Sequence, residues 1–217
     1  TSIKEIGITH PLLLVRQNGG YRIASGHRRF QIADRLGFAD LPAQILAIAD
    51  DAAMLETNLL ENSSHRRYSD VEKGLIVSKM RDAGVPEDQA LNRYMPFLGL
   101  ERSKKLYADF IQVEALTPGL RRLLHELNVP LRVFSACFGW DAQSLSAVET
   151  LFAELRPGVN KWRELLELID ETARRDGIKA ADILFRQEIQ SIREAGMSSH
   201  EKYDQIHQMC CRQFASQ

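Results

Sequence analysis

The pattern of apolar positions along this chain changes near residue 69. Before it, short apolar runs alternate with turn residues. Ile3, Ile6 and Ile8 lead to Pro11, and the run Leu12-Leu13-Leu14-Val15 predicts a buried strand. Gln17-Asn18-Gly19-Gly20 predicts a hairpin turn, with Tyr21-Arg22-Ile23-Ala24 as the returning strand. From Gly26 the apolar positions Phe30, Ile32, Ala33 and Leu36 share one helical face, stopped by Gly37. Leu41 to Leu46 predicts a further short strand. Asp50-Asp51 opens a helix whose apolar side holds Met54, Leu55, Leu59 and Leu60, and which runs out at Glu61-Asn62-Ser63-Ser64.

From Ser69 the period is helical to the end of the chain. Ser69-Asp70-Val71-Glu72 is a capping box, and its helix carries Leu75, Ile76 and Met80 before Gly84 ends it. Pro86-Glu87-Asp88 starts a helix through Tyr94, Leu98-Gly99-Leu100 makes a tight turn, and Arg102-Ser103-Lys104-Lys105 opens a helix through Leu116. Helix, glycine-containing turn, helix is the order of a helix-turn-helix, and equally of a helical hairpin packed only for stability. Thr117-Pro118 starts the next helix, with Leu120, Leu123, Leu124 and Leu127 on its core face; Pro130 interrupts the chain before Val133, Phe134 and Cys137. The last third carries apolar stripes: Leu145, Val148, Leu151, Phe152 and Leu155, then Val159, Trp162, Leu165, Leu166 and Ile169, then Ile183, Ile189 and Ile192. A second capping box, Ser198 to Glu201, leads to Tyr203, Ile206, Met209 and Phe214. Such stripes serve packing more readily than a partner groove.

Composition narrows the class. Of 217 residues, 44% are hydrophobic and 26% charged, as in globular proteins, and no run approaches the length of a membrane span. No signal peptide is visible. Three cysteines, Cys137, Cys210 and Cys211, imply no disulfide framework and suit a reducing cytosol. The formal net charge is −1, but residues 63–135 hold twelve Lys/Arg against nine Asp/Glu, while residues 136–217 hold ten against thirteen. A mildly basic middle suits phosphate contacts, and equally a solvated charged surface.

The candidate chemistry lies in Ala24-Ser25-Gly26-His27-Arg28-Arg29-Phe30 and in Glu61-Asn62. A glycine between strand and helix lets backbone approach a ligand closely. Amides at a helix start attract anions, and adjacent arginines can add forked hydrogen bonds to phosphate. Glu61 and Asn62 are oxygen ligands suited to a magnesium ion between phosphates. No Walker loop occurs anywhere in the chain. The tetrad by itself also arises in ordinary surface helices.

In order, these features resemble the ParB family of chromosome- and plasmid-partition proteins, within the wider group of ParB/sulfiredoxin-like domains. Ile8 to Leu14 is similar to the family's opening strand, Gly26-His27-Arg28-Arg29 to its Gly-Glu-Arg-Arg phosphate motif, and Thr57 to Asn62 to its Glu-Asn-x-x-Arg motif. Gly99 to Ser103 fits the turn of its helix-turn-helix, and the likeness covers residues 3–140. It implies an α+β chain: a ParB/sulfiredoxin-like nucleotide-binding domain over 1–66, a helix-turn-helix domain over 67–142 and a helical extension over 143–217. It implies cytidine triphosphate (CTP) and Mg2+ as ligands. Pro11 and Leu12 would lie near the base, and Ser25, Gly26, His27, Arg28 and Arg29 at the phosphates. Glu61 and Asn62 would sit at the metal, with Glu61 and Arg28 the catalytic candidates for a slow CTPase. Arg102, Ser103, Lys104 and Lys105 would meet double-stranded DNA at a palindromic, centromere-like site. A homodimeric, nucleotide-gated clamp with a ParA-type ATPase partner follows by the same resemblance, cytoplasmic, nucleoid-associated and without a membrane.

The chain departs from the family pattern twice. His27 stands where the family has glutamate; an imidazole can donate to phosphate where a carboxylate cannot, but cannot replace it in a step that needs it. The arginine expected after Glu61-Asn62 falls on His65, with Arg66 and Arg67 next. The sulfiredoxin cysteine is absent. Alternatives from other classes are an ATP-using kinase or nuclease-like enzyme of the same superfamily, and a DNA-binding adaptor whose nucleotide site has decayed. The C-terminal helices do not match the family's short dimerisation domain and read as a lineage-specific extension, or leave that domain beyond Gln217.

Overall fold

The apolar run at the start of the chain becomes the middle strand of a small sheet. In the computed structural model, Leu12–Gln17 (β1) pairs antiparallel with Gly20–Ser25 (β2), and Gln17 lies opposite Gly20. A hairpin closed in two residues needs positive φ, and Gly19 takes +79°. On its other side β1 pairs in parallel with Ala43–Leu46 (β3), from Leu12 opposite Ala43 to Val15 opposite Leu46, giving the order β2-β1-β3. The structure describes residues 2–17, 19–47, 50–63 and 67–215, so Asn18 of the expected turn lies outside the described residues.

The N-terminal segment differs from the sequence expectation. Ser2–Ile6 forms a short helix, α1, and the strand starts only at Leu12, because Pro11 has no N–H to give a ladder. His27–Arg35 (α2) joins β2 to β3, and Asp51–Ser63 (α3) follows. Leu59 is buried as expected, but Leu60 is exposed, one residue further round the helix.

Chain contacts divide the molecule into two units, residues 1–67 with 79–102, and residues 68–78 with 103–217. The division passes through Asp70–Asp82 (α4). To the first unit belongs a helical run expected to end at Tyr94. It continues to Phe97 as Glu87–Gln89 (α5), a π-helical turn over Ala90–Tyr94, and Met95–Phe97 (α6). Arg93 and the Tyr94 hydroxyl both bind the Glu56 carboxylate of α3, the hydroxyl at 3.1 Å. Burial, then this carboxylate, raises the Tyr94 pKa. After α6 the Leu100 amide donates to the Met95 carbonyl and the Gly99 amide to that of Pro96, each at 3.0 Å, with Gly99 at φ +68°. These are the paired bonds of a Schellman helix end, a conformation only glycine takes without strain.

The second unit is helical. The Ser69 amide donates to Glu72 at 2.9 Å and the Glu72 amide to the Ser69 hydroxyl at 3.3 Å, completing the capping box. Lys104–Gln112 (α7) ends earlier than expected and passes into a 3-10 turn over Val113–Ala115. Pro118–Glu126 (α8) starts on the Thr117 cap, and Leu131–Phe134 (α9) follows Pro130. Ala142–Leu155 (α10) and Val159–Asp176 (α11) bury their apolar stripes, with Trp162 stacked on Phe152 at 3.8 Å between ring centres. The third stripe is not one helix: Ile183 lies in Ala180–Leu184 (α12) and Ile189 in Gln187–Glu194 (α13). Ser199–Ala215 (α14) buries Tyr203 and Ile206 and leaves Phe214 exposed beneath the Arg175 guanidinium. Cys137 and Cys210 are buried; burial raises both thiol pKa values, that of Cys210 to about 12. Among the described residues, no helix is long and apolar enough to cross a membrane.

Candidate functional site

The ladder between β1 and β2 slips where β2 ends. Leu13 lies opposite Ser25 and Leu14 opposite Ile23, so Ala24 is a bulge. A bulge leaves its residue out of the ladder and bends the strand. Ala24 is only 1% exposed, so its carbonyl needs another partner. Asn58 of α3 supplies one: its Nδ2 donates to that oxygen at 2.7 Å.

The bend leads directly into Gly26, which has φ +100° and ψ +15° and begins α2. A side chain here would be strained by conformation, and a Cβ would lie 2.6 Å from Cδ2 of Leu12. Among the described residues no side chain caps this end of α2, so its first amides are open to an anion. Arg29 reaches back instead of outward: its Nη1 donates to the His10 carbonyl at 2.7 Å and the Pro11 carbonyl at 2.9 Å. That bond holds the approach to β1 beside α2.

The structure therefore brings Pro11, Leu12, Ser25, Gly26, His27 and Arg29 together. Leu12 and Ser25 are buried, whereas His27 and Arg28 are exposed on the first turn of α2. Glu61 and Asn62 fall in the last turn of α3, with side chains outside the described residues, as are Ser64, His65 and Arg66 altogether. Beside His27 opens a cleft of about 460 Å³ whose walls include Arg22, Met54, Asn58, Lys79 and Asp82. Sequence reasoning assigned roles to none of these five. Asn58 was within reach, since it precedes Asn62 by one helical turn on the same face of α3. Lys79 carries no local signal.

At the candidate DNA-contacting positions, Ser103 is the N-cap of α7, its hydroxyl accepting from the Leu106 amide at 3.3 Å. Arg102, Lys104 and Lys105 are exposed around it, while α7 buries Tyr107 and Phe110. Cations at a helix N-terminus oppose the helix's own dipole. They are badly placed for the helix and well placed for an external phosphate.

Comparison with known proteins shows what the chain is similar to. Residues 1–63 match the model of the ParB N-terminal domain. The probable plasmid-partitioning protein ParB of Thermus thermophilus is 30% identical over 174 residues, 77% of this chain and 55% of that one. The chromosome-partitioning protein Spo0J of the same species is 32% identical over 92 residues, 42% of this chain and 34% of its own. Stage 0 sporulation protein J of Bacillus subtilis is 27% identical over 126 residues, 58% and 42% of the two chains. The chain thus spans between about a third and just over half of these relatives. Among solved structures, C-terminally truncated ParB of Caulobacter crescentus complexed to the centromeric parS site is 20% identical, with a TM-score of 0.39, covering 73% of this chain and 82% of that one. The same protein complexed with CTP-gamma-S is 22% identical, with a TM-score of 0.28, covering 69% and 75%.

Proposed function

The chain belongs to the ParB family of partition proteins, and from that premise we propose that it is a nucleotide-gated DNA clamp whose first domain binds CTP. The observation that carries the reading is Gly26: an uncapped helix start in a conformation, and at a distance from Leu12, that admit only glycine. That arrangement suits a phosphate chain lying against the amides of α2, with Arg28 as the exposed arginine of the motif. Arg29 contributes by holding Pro11, and with it Leu12, where the base would lie. Glu61 and Asn62 offer the oxygen ligands that magnesium takes, and the ion would neutralise charge on the triphosphate. Slow hydrolysis, with Glu61 and Arg28 assisting, belongs to the same reading, without the carboxylate that His27 replaces.

The rest follows by the same premise. Residues 67–142 would form the DNA-binding part, with Arg102, Lys104 and Lys105 at the phosphates of a palindromic duplex site and Ser103 holding the start of their helix. Two copies would form the clamp, a ParA-type ATPase would be its motor, and residues 143–217 would be a helical extension. The protein would work in the cytoplasm, on the nucleoid.

Calorimetry with CTP, ATP, GTP and UTP in the presence of Mg2+ tests the reading. Saturable binding that prefers CTP is expected. Arg28→Ala should weaken it by more than about tenfold with an unchanged melting temperature, as loss of a charge-assisted phosphate contact does. Absence of saturable binding to any of the four overturns it. His27 favours a second reading, a DNA-binding adaptor that no longer uses nucleotide; specific DNA binding indifferent to every nucleotide would single it out.

A further inference from the structure

The cleft beside His27 also holds two cationic side chains from outside the Gly26-His27-Arg28-Arg29 segment, Arg22 and Lys79. Arg22 comes from β2, His27 from the start of α2 and Lys79 from the last turns of α4, all within the first unit. They line one space of about 460 Å³, a volume typical of small-ligand sites. Asp82, the carboxylate on its wall, is held by Arg81, whose Nε and Nη2 donate to it at 3.0 and 2.7 Å. Among the described residues, no hydrogen bond or ion pair engages the Lys79 ammonium. Like charges facing a shared space repel, and an anion between them reverses the sign of that interaction. The remaining wall, Ile23, Met54 and Leu55, is apolar.

Resting on the nucleotide reading above, we propose that Lys79, together with Arg22, is part of the nucleotide site and pairs with the phosphate chain. The site is then incomplete within residues 1–63, the extent of the ParB N-terminal domain match. It is finished by α4, whose Lys79 lies sixteen residues beyond the end of that match. Lysine suits the role as a mobile point charge that can follow a flexible polyphosphate. Asn58 acts as a positioning residue, holding the Ala24 carbonyl and through it the turn into Gly26.

The test is calorimetry on the full chain with two titrants, CTP and inorganic triphosphate, for the wild type, Lys79→Ala and Lys79→Arg. Lys79 is exposed, so the alanine variant should melt as the wild type does. Lys79→Ala should weaken CTP binding by about tenfold or more, and Lys79→Arg should recover it to within about threefold. CTP binding by Lys79→Ala within about twofold of wild type overturns the assignment and leaves the nucleotide reading intact. If the wild type binds no CTP, that reading fails and inorganic triphosphate decides. Binding that Lys79→Ala abolishes keeps Lys79 as a polyphosphate ligand; no binding, or binding the substitution leaves unchanged, overturns it.

Discussion

Without Asn58, the Ala24 carbonyl would be a buried acceptor with no ladder partner, because the bulge has removed it from the strand pairing. Leaving such a group unsatisfied costs about 1–3 kcal/mol. Asn58→Ala should therefore lower the free energy of unfolding by about that much, read from urea denaturation. It should also weaken CTP binding, since the turn into Gly26 loses its support; equal stability in the variant would show that another group satisfies the carbonyl. The two arginines of the motif illustrate how far residue identity alone reaches. Both read as phosphate ligands in sequence, yet Arg29 already donates to His10 and Pro11 while Arg28 points into solvent. Gly26 was legible because its conformation is a local property. Asn58 was not, because the need it meets arises from pairing between two strands.

Helix ends were the most legible elements. Ser69, Thr117 and Ser198 were all expected as caps and all accept from an amide three residues on, a geometry set within one turn of chain. Asp141 caps α10 in the same way, accepting from the Ser144 amide at 2.8 Å, and pairs with Lys179 at 2.9 Å. The Lys179 contact first, then Ser144, lowers its pKa from 3.8 to about 2. A carboxyl depressed by folding contributes stability that is present above its unfolded pKa and is lost as pH falls through the folded one. Between pH about 4 and about 2 the urea midpoint of the wild type should fall more steeply than that of Asp141→Asn; parallel profiles would refute the coupling. The N-terminal end of α7 leads to a prediction on DNA. Replacing Lys104 and Lys105 by alanine should reduce the slope of log affinity against log salt by about 2 for a duplex, as loss of two phosphate contacts requires. An unchanged slope would remove α7 from the DNA interface. The π-helical turn at Ala90–Tyr94 was not legible, since its apolar positions also fit a plain α-helix.

For the whole molecule, short apolar runs between turn residues, followed from Ser69 by helical stripes to the end of the chain, foretold an α+β chain with its sheet at the start. The apolar stripes of the last third proved to be core: Leu145 to Leu155 and Trp162 to Ile169 are buried. Local order alone determined the strands, the caps, the glycine-bound turns and the colinear motifs of a ParB protein, because each depends on residues within a few positions of one another. Tertiary structure alone decided that Ala24 bulges, that Asn58 and Arg29 brace the loop around Gly26, and that Arg22, His27 and Lys79 share one cleft. Those juxtapositions join β2, α2, α3 and α4, and no periodicity along a chain records which side chains meet when such elements pack.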